Sequence, residues 1–177
     1  MTKILLISGS PRNGNTDFVL SKIYENINDD KEIIFLRDKQ IKHCIGCLSC
    51  HNKPKCVIHD DMTEIRKKML DSEVLIIGTP NYFDNISGLL KDFVDRTHPF
   101  YKAESLKGKK LILIMVGGGK IEGSQEYLDH TMHGFVKYLK FNLVVSYCFK
   151  ALNQKDLKQN PEVIPKINEI IGKINSL

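Results

Sequence analysis

The chain has 177 residues, 42% of them hydrophobic and 27% charged, enough for one domain that buries roughly two-thirds of its surface without disulfide support. Its net charge of +5 is spread along the chain, Lys and Arg interleaved with Asp and Glu, which argues against a nucleic-acid stripe and a membrane-binding face. No apolar run approaches the length of a membrane helix or a secretory signal, so a cytoplasmic, reducing setting is the expectation.

Lys3–Ser8 is short, apolar and ends at a Gly/Pro turn, the pattern of a strand buried on both faces. The turn itself, Ser8-Gly9-Ser10-Pro11-Arg12-Asn13-Gly14-Asn15-Thr16, combines small residues, hydroxyls, amides and one cation ahead of a helix predicted over Asp17–Asn28. Such a loop suits a phosphate, held by helix N-terminal N–H groups and by Arg12, and it equally suits an ordinary strand-to-helix turn capped by Asn15 or Thr16. It has neither Walker nor dinucleotide-fingerprint spacing. A second, more mixed strand is predicted over Glu32–Leu36.

The stretch from Arg37 to Asp60 is long for a connection in a compact domain and carries four of the five cysteines. Cys44, Cys47, Cys50 and Cys56 form a C-x2-C-x2-C-x5-C run. Two-residue gaps let successive thiolates wrap toward one centre, and four thiolates are the usual ligand set of a [4Fe–4S] cluster. Zinc is a competing occupant, although structural zinc sites usually split into two separated pairs, and redox-active free thiols are another. His43, His51 and His59 are read as solvent-facing loop residues, and Asn52, Lys53 and Pro54 as turn chemistry.

A helix over Met62–Leu70 places Met62, Ile65, Met69 and Leu70 on one apolar face. The buried strand Val74–Thr79 then runs into Pro80-Asn81-Tyr82-Phe83-Asp84-Asn85, where backbone N–H groups and two aromatic rings suit a planar ligand and also suit plain packing. After a helix over Leu89–Thr97 comes the strand Lys110–Val116, ending in three glycines, of which Gly117 and Gly118 permit close backbone approach to a flat molecule. A helix over Gln125–Leu139, a strand over Leu143–Phe149 holding Cys148 as a buried inert thiol, and a last helix over about Glu162–Asn175 complete the chain.

Strands alternating with helices imply right-handed crossovers, a parallel sheet covered on both faces, and a ligand crevice beyond the carboxyl ends of the strands. One domain over residues 1–177 is expected. Two other uses of such a fold are excluded by absence: no cysteine has an arginine six positions on, as a phosphatase loop requires, and the third strand ends in Gly78-Thr79 where a receiver domain needs an acidic phosphoacceptor.

Ser-Gly-Ser-Pro-Arg-x-x-Gly-Asn-Thr closely resembles the phosphate loop of the NAD(P)H-dependent FMN reductase and iron–sulfur flavoprotein families. The third-strand loop and the compact cysteine run followed by Asp60-Asp61-Met62 resemble the same families. The resemblance implies a flavodoxin-like α/β fold, a doubly wound five-stranded sheet in the order 2-1-3-4-5. It implies FMN held by Ser8, Ser10, Arg12, Asn15 and Thr16 at the phosphate and by Thr79, Pro80, Asn81, Tyr82, Phe83, Asn85, Gly117 and Gly118 around the ring. It further implies a [4Fe–4S] cluster at Cys44, Cys47, Cys50 and Cys56, with electrons from NAD(P)H or ferredoxin passing through FMN to small acceptors. No side-chain acid or nucleophile is needed, because the chemistry is the cofactor's. The alternatives are a cluster-free reductase of quinones, azo or nitro compounds and a non-catalytic electron carrier. A homodimer or homotetramer is expected, with Ile86–Thr97 as interface or as sheet packing.

Overall fold

The computed structural model describes residues 2–177; Met1, which heads the first apolar run, lies outside the described residues. One parallel five-stranded sheet has the order β2-β1-β3-β4-β5, built from β1 (Lys3–Ser8), β2 (Asp30–Phe35), β3 (Val74–Pro80), β4 (Lys110–Gly117) and β5 (Asn142–Lys150). The helices are α1 (Asn15–Asn26), α2 (Ser49–Asn52), α3 (Met62–Asp71), α4 (Gly88–Asp95), α5 (Phe100–Ala103), α6 (Ile121–Tyr138), α7 (Asp156–Gln159) and α8 (Val163–Asn175). This is the flavodoxin-like, doubly wound topology. No helix among the described residues is long and apolar enough to cross a membrane.

The two faces of the sheet follow from the two-residue period of a strand. Ile4 and Leu6 of β1, Val74 and Ile76 of β3, and Ile112 and Ile114 of β4 bury one face under Val19, Leu20 and Ile23 of α1 and Ile167, Ile170 and Ile174 of α8. The intervening residues, Leu5, Ile7, Leu75, Ile77, Leu111 and Leu113, bury the other face under Met62, Ile65 and Met69 of α3, Leu90 and Phe93 of α4, and Leu128, Met132 and Phe135 of α6. Each such side chain contributes about 1.5–3 kcal/mol by leaving water. The near-continuous apolar runs of β1, β3 and β4 are therefore what a two-sided core demands. At the edge, β5 is half exposed and slips register by one residue between Leu111 and Ile112 of its neighbour.

Several boundaries differ from the sequence reading. The sixth helix begins at Ile121 and not at Gln125, because Gly123 and Ser124, which look like turn residues, are taken into its first turn with Ser124 buried. The first helix begins at Asn15, and its cap is Gly14, so neither Asn15 nor Thr16 acts as N-cap. The short helices α2, α5 and α7 have no legible period at four residues each. In Ile86–Thr97, Leu90 and Phe93 are buried against the sheet while Leu89 and Val94 are only partly covered.

Cys148 sits on β5 with its thiol buried, which pushes its pKa up to about 12, with Asp129 adding to the shift. By contrast, hydrogen bonds from Ser49 hold the exposed Cys47 thiol below the ordinary cysteine value. Alkylation of metal-free native protein with iodoacetamide at mildly alkaline pH should therefore mark Cys47 first and leave Cys148 unmodified, as read by peptide mass spectrometry. Early labelling of Cys148 would show that β5 opens readily.

Candidate functional site: a strand-end crevice and a four-cysteine cavity

Parallel strands deliver β1, β3 and β4 side by side, so the loops that follow them meet beyond their carboxyl ends. There they enclose a crevice of about 140 Å³ lined by Ser10, Arg12, Asn15 and Thr16 from the first loop, Pro80, Asn81 and Tyr82 from the second, and Gly117 and Gly118 from the third. Ala151 and Leu152, just after β5, form a fourth wall that sequence reasoning missed. Their only sequence signal is the end of a strand.

The first loop is braced from below. Gly9 N–H donates to Gly78 O (2.8 Å), and the Ser87 hydroxyl donates to Gly9 O (2.6 Å). The Ser8 hydroxyl donates to Asp17 (2.6 Å) and accepts from Ser10 N–H (3.2 Å), while the partly buried Arg37 pairs with the other oxygen of the buried Asp17. Burial lifts the Asp17 carboxyl above its ordinary value, against the opposing pull of Ser8 and Arg37. Ser8 is thus committed beneath the loop and does not line the crevice. Asn15 lines it, but its amide is engaged with Asn153 O (2.8 Å) and with Leu157 N–H (3.3 Å), tying the first loop to the segment after β5.

Two features remain unspent. Among the described residues no side chain caps α1, so its first N–H groups face the crevice, and no carboxylate pairs with Arg12. A helix N-terminus with a free cation beside it is an anion site.

The second and third loops are fitted to each other. Asn81 N–H donates to Val116 O (2.8 Å), and a Cβ at Gly117 would stand 2.5 Å from the Asn81 Cβ. At Gly118 it would stand 2.5 Å from Leu152. Packing against the Asn81 Cβ thus requires Gly117, a reason the sequence did not disclose, whereas the exposed Leu152 side chain could swing away from a Cβ at Gly118. Thr79 is buried and also structural, its hydroxyl accepting from Ser87 N–H and donating to Pro80 O. Tyr82 and Asn85 exchange backbone hydrogen bonds (3.0 and 3.1 Å) across a two-residue turn in which Phe83 and Asp84 both take positive φ (52° and 58°). That turn leaves the Phe83 ring fully exposed beside the crevice, and both residues hold a backbone that ordinarily favours glycine or asparagine.

The long connection is anchored at its two ends by one ion pair. The Asp60 carboxylate is almost fully buried and accepts from Arg96 Nη1 (2.6 Å) and Nη2 (2.9 Å), from Lys42 N–H (2.9 Å) and from Met62 N–H (3.1 Å). Arg96, wholly buried, also donates to Lys42 O (2.6 Å) and Ile58 O (3.3 Å). Burial alone would raise the Asp60 pKa, but the hydrogen bonds from Arg96 and Lys42 outweigh it and the net shift is downward. Asp61 adds a bond from Gln40 N–H (2.7 Å).

This anchor closes the loop so that Cys44, Cys47, Cys50 and Cys56 all line one small cavity of about 120 Å³, walled by Ile45, Leu48, Val57 and Ile58. Among the described residues no three His, Cys, Asp or Glu side chains converge on a point that would hold a single ion. His98 Nδ1 lies 3.4 Å from the Cys50 sulfur, and His51 stacks on His98 with ring centroids 4.8 Å apart, so His51 is not simply a solvent-facing residue. His43, exposed, bonds Asp92 (2.6 Å), which raises its pKa. His59 is exposed, as read. A larger cavity, about 750 Å³, lies against α4 and α6 and has Cys44 among its lining residues.

Comparison with known proteins adds an independent line. The family model described as NADPH-dependent FMN reductase matches residues 2–156. An iron–sulfur flavoprotein of Methanocaldococcus jannaschii is 37% identical over 137 residues, covering 75% of this chain and 70% of that protein. One from Archaeoglobus fulgidus is 35% identical, covering 71% of this chain and 63% of its own length, just under two-thirds. One from Clostridioides difficile is 32% identical, covering 96% and 86%. Among solved structures, an apo NADH:FMN oxidoreductase superposes with a TM-score of 0.69 at 21% identity, covering 99% of this chain and 90% of that one. The general stress protein 14 of Treponema denticola, solved with FMN, gives 0.69 at 16% identity over 99% of both chains. At these identities the structural likeness speaks to fold.

Proposed function

The chain belongs to the NADPH-dependent FMN reductase family, flavodoxin-like oxidoreductases, and from that premise we propose that it is an FMN-dependent oxidoreductase with an iron–sulfur centre as electron relay. The observation that carries the FMN half is the uncapped start of α1 beside unpaired Arg12, meeting the Asn81 and Gly117 loops in one crevice. Arg12 and the N–H groups of α1 would hold the phosphate. Asn81, Tyr82, Phe83, Gly117 and Gly118 would offer backbone and aromatic surface to the ring, with Ser8, Asn15, Thr79 and Asn85 holding the loops in shape. FMN supplies the chemistry when bound, taking up hydride or single electrons on its ring. The small crevice suits the phosphate end, while the exposed Tyr82–Asn85 turn gives the larger ring an open surface to lie on.

The four-thiol cavity supports the relay. All four cysteines line one cavity, and four thiolates at these close spacings are the usual ligand set of an iron–sulfur cluster, whereas structural zinc sites usually split into two separated pairs. Between Lys39 and His59 the chain holds four lysines and no Asp or Glu. An acidic redox protein such as a ferredoxin would be drawn to that surface, alongside NAD(P)H as the alternative donor.

The deciding experiment is the absorption spectrum of anaerobically purified or reconstituted protein with flavin, iron and acid-labile sulfide assayed on the same sample. One FMN with about four irons and four sulfides per chain is expected. Flavin with neither iron nor sulfide would leave a cluster-free reductase of quinones, azo or nitro compounds, and no flavin even after adding FMN would overturn the reading entirely.

A further inference from the structure

Arg96 has one polar atom that its anchoring role does not use. Its Nη atoms are fully occupied by Asp60, Lys42 O and Ile58 O, yet Nε is buried and has no hydrogen-bond partner among the described residues. A buried, orphaned N–H on a charged group is costly and calls for an acceptor. Arg96 lines the cavity of the four cysteines together with Cys56, whose thiol acts electrostatically on both Arg96 and Arg66. Arg66, itself buried, packs behind and donates to Arg96 O (3.4 Å).

The charges do not balance. Arg96 and Arg66 are both buried, yet only Arg96 is paired, with Asp60, and among the described residues Arg66 forms no ion pair. Asp95, which lines the cavity, turns out toward Lys91 (2.6 Å). A positive charge is left beside Cys56, and four thiolates around an iron–sulfur core would carry the negative charge to meet it.

We propose that Arg96 is a positioning residue for the four-cysteine centre: Asp60 and two carbonyls fix its guanidinium so that the remaining Nε–H is offered to Cys56, and Arg96 and Arg66 together raise the centre's reduction potential and strengthen its hold on iron. The inference rests on the iron–sulfur reading above. Its physical basis is general: N–H donors to a cluster's sulfurs and nearby positive charge favour the more negative, reduced state, and outer partners of a metal site usually alter its affinity by about 10–100-fold.

The test uses full-length protein reconstituted anaerobically with iron and sulfide, comparing wild type with Arg96→Lys, which keeps a cation for Asp60 but has no Nε–H. Arg66→Gln is the second variant, since it leaves the Asp60 pair intact and stands in if Arg96→Lys fails to fold. Far-UV circular dichroism and FMN binding report folding separately from the centre. Expected are a more negative midpoint potential in an EPR-monitored redox titration and loss of iron to a chelator faster by on the order of tenfold, larger for Arg96→Lys than for Arg66→Gln. Folded variants with wild-type potential and wild-type iron retention would overturn the role of Arg96 while leaving the cluster reading intact. Wild-type protein that takes up no iron and sulfide would overturn both.

Discussion

Replacing Asp60 by alanine is expected to cost about 3–5 kcal/mol of folding stability, the range for removing one partner of a buried ion pair. The side chain accepts four hydrogen bonds, and its loss strands the wholly buried Arg96 while releasing the backbone at Lys42 and Met62. The cost should vary with pH in a definite direction. The Asp60 pKa lies below the 3.8 of a free aspartate, so its contribution is fully present above that value and is lost as the pH falls through the lower folded value. Urea unfolding of metal-free wild type and Asp60→Ala, followed by circular dichroism from neutral pH to below 3.8, checks both points. The two stabilities should converge at the acid end, and a neutral-pH difference under about 1 kcal/mol, the scale of an exposed pair, would mean that the anchor is not structural.

Arg12→Ala should leave stability almost unchanged, because the side chain is exposed and among the described residues pairs with no carboxylate. Its effect falls on the ligand. A charge-assisted bond to a phosphate contributes about 1.5–3 kcal/mol, which corresponds to a Kd for FMN weaker by about 10–100-fold. Riboflavin has the same ring without the phosphate, so the variant and the wild type should bind it equally. Flavin fluorescence titrations with both compounds at one ionic strength separate the cases: an equal loss for riboflavin would place Arg12 against the ring or in the fold.

The sheet and its three loops were legible because they depend on local pattern. β1, β3 and β4 are unbroken apolar runs ending at turn residues, and parallel topology alone brings their ends together. What could not be read was where each side chain spends its hydrogen bonds. Ser8 and Asn15 resemble phosphate ligands in type and spacing, yet one serves Asp17 beneath the loop and the other holds Asn153, far along the chain. Gly117 lines the crevice, yet it is also room for the Asn81 Cβ, a second demand that its sequence context does not show. The Arg96–Asp60 pair spans 36 positions with no periodic or compositional mark, and only the folded chain shows that it closes the cysteine loop.

The bond from Asn15 to Asn153 also bears on how the molecule is made. Its two ends are 138 residues apart, and the same late segment supplies Ala151 and Leu152. At ribosomal speeds of about 5–20 residues per second, the first loop leaves the exit tunnel on the order of ten seconds before its far wall is synthesised. During that interval a nascent chain has an anion-attracting helix start but no closed crevice, so firm cofactor capture must wait for β5 and the turn beyond it.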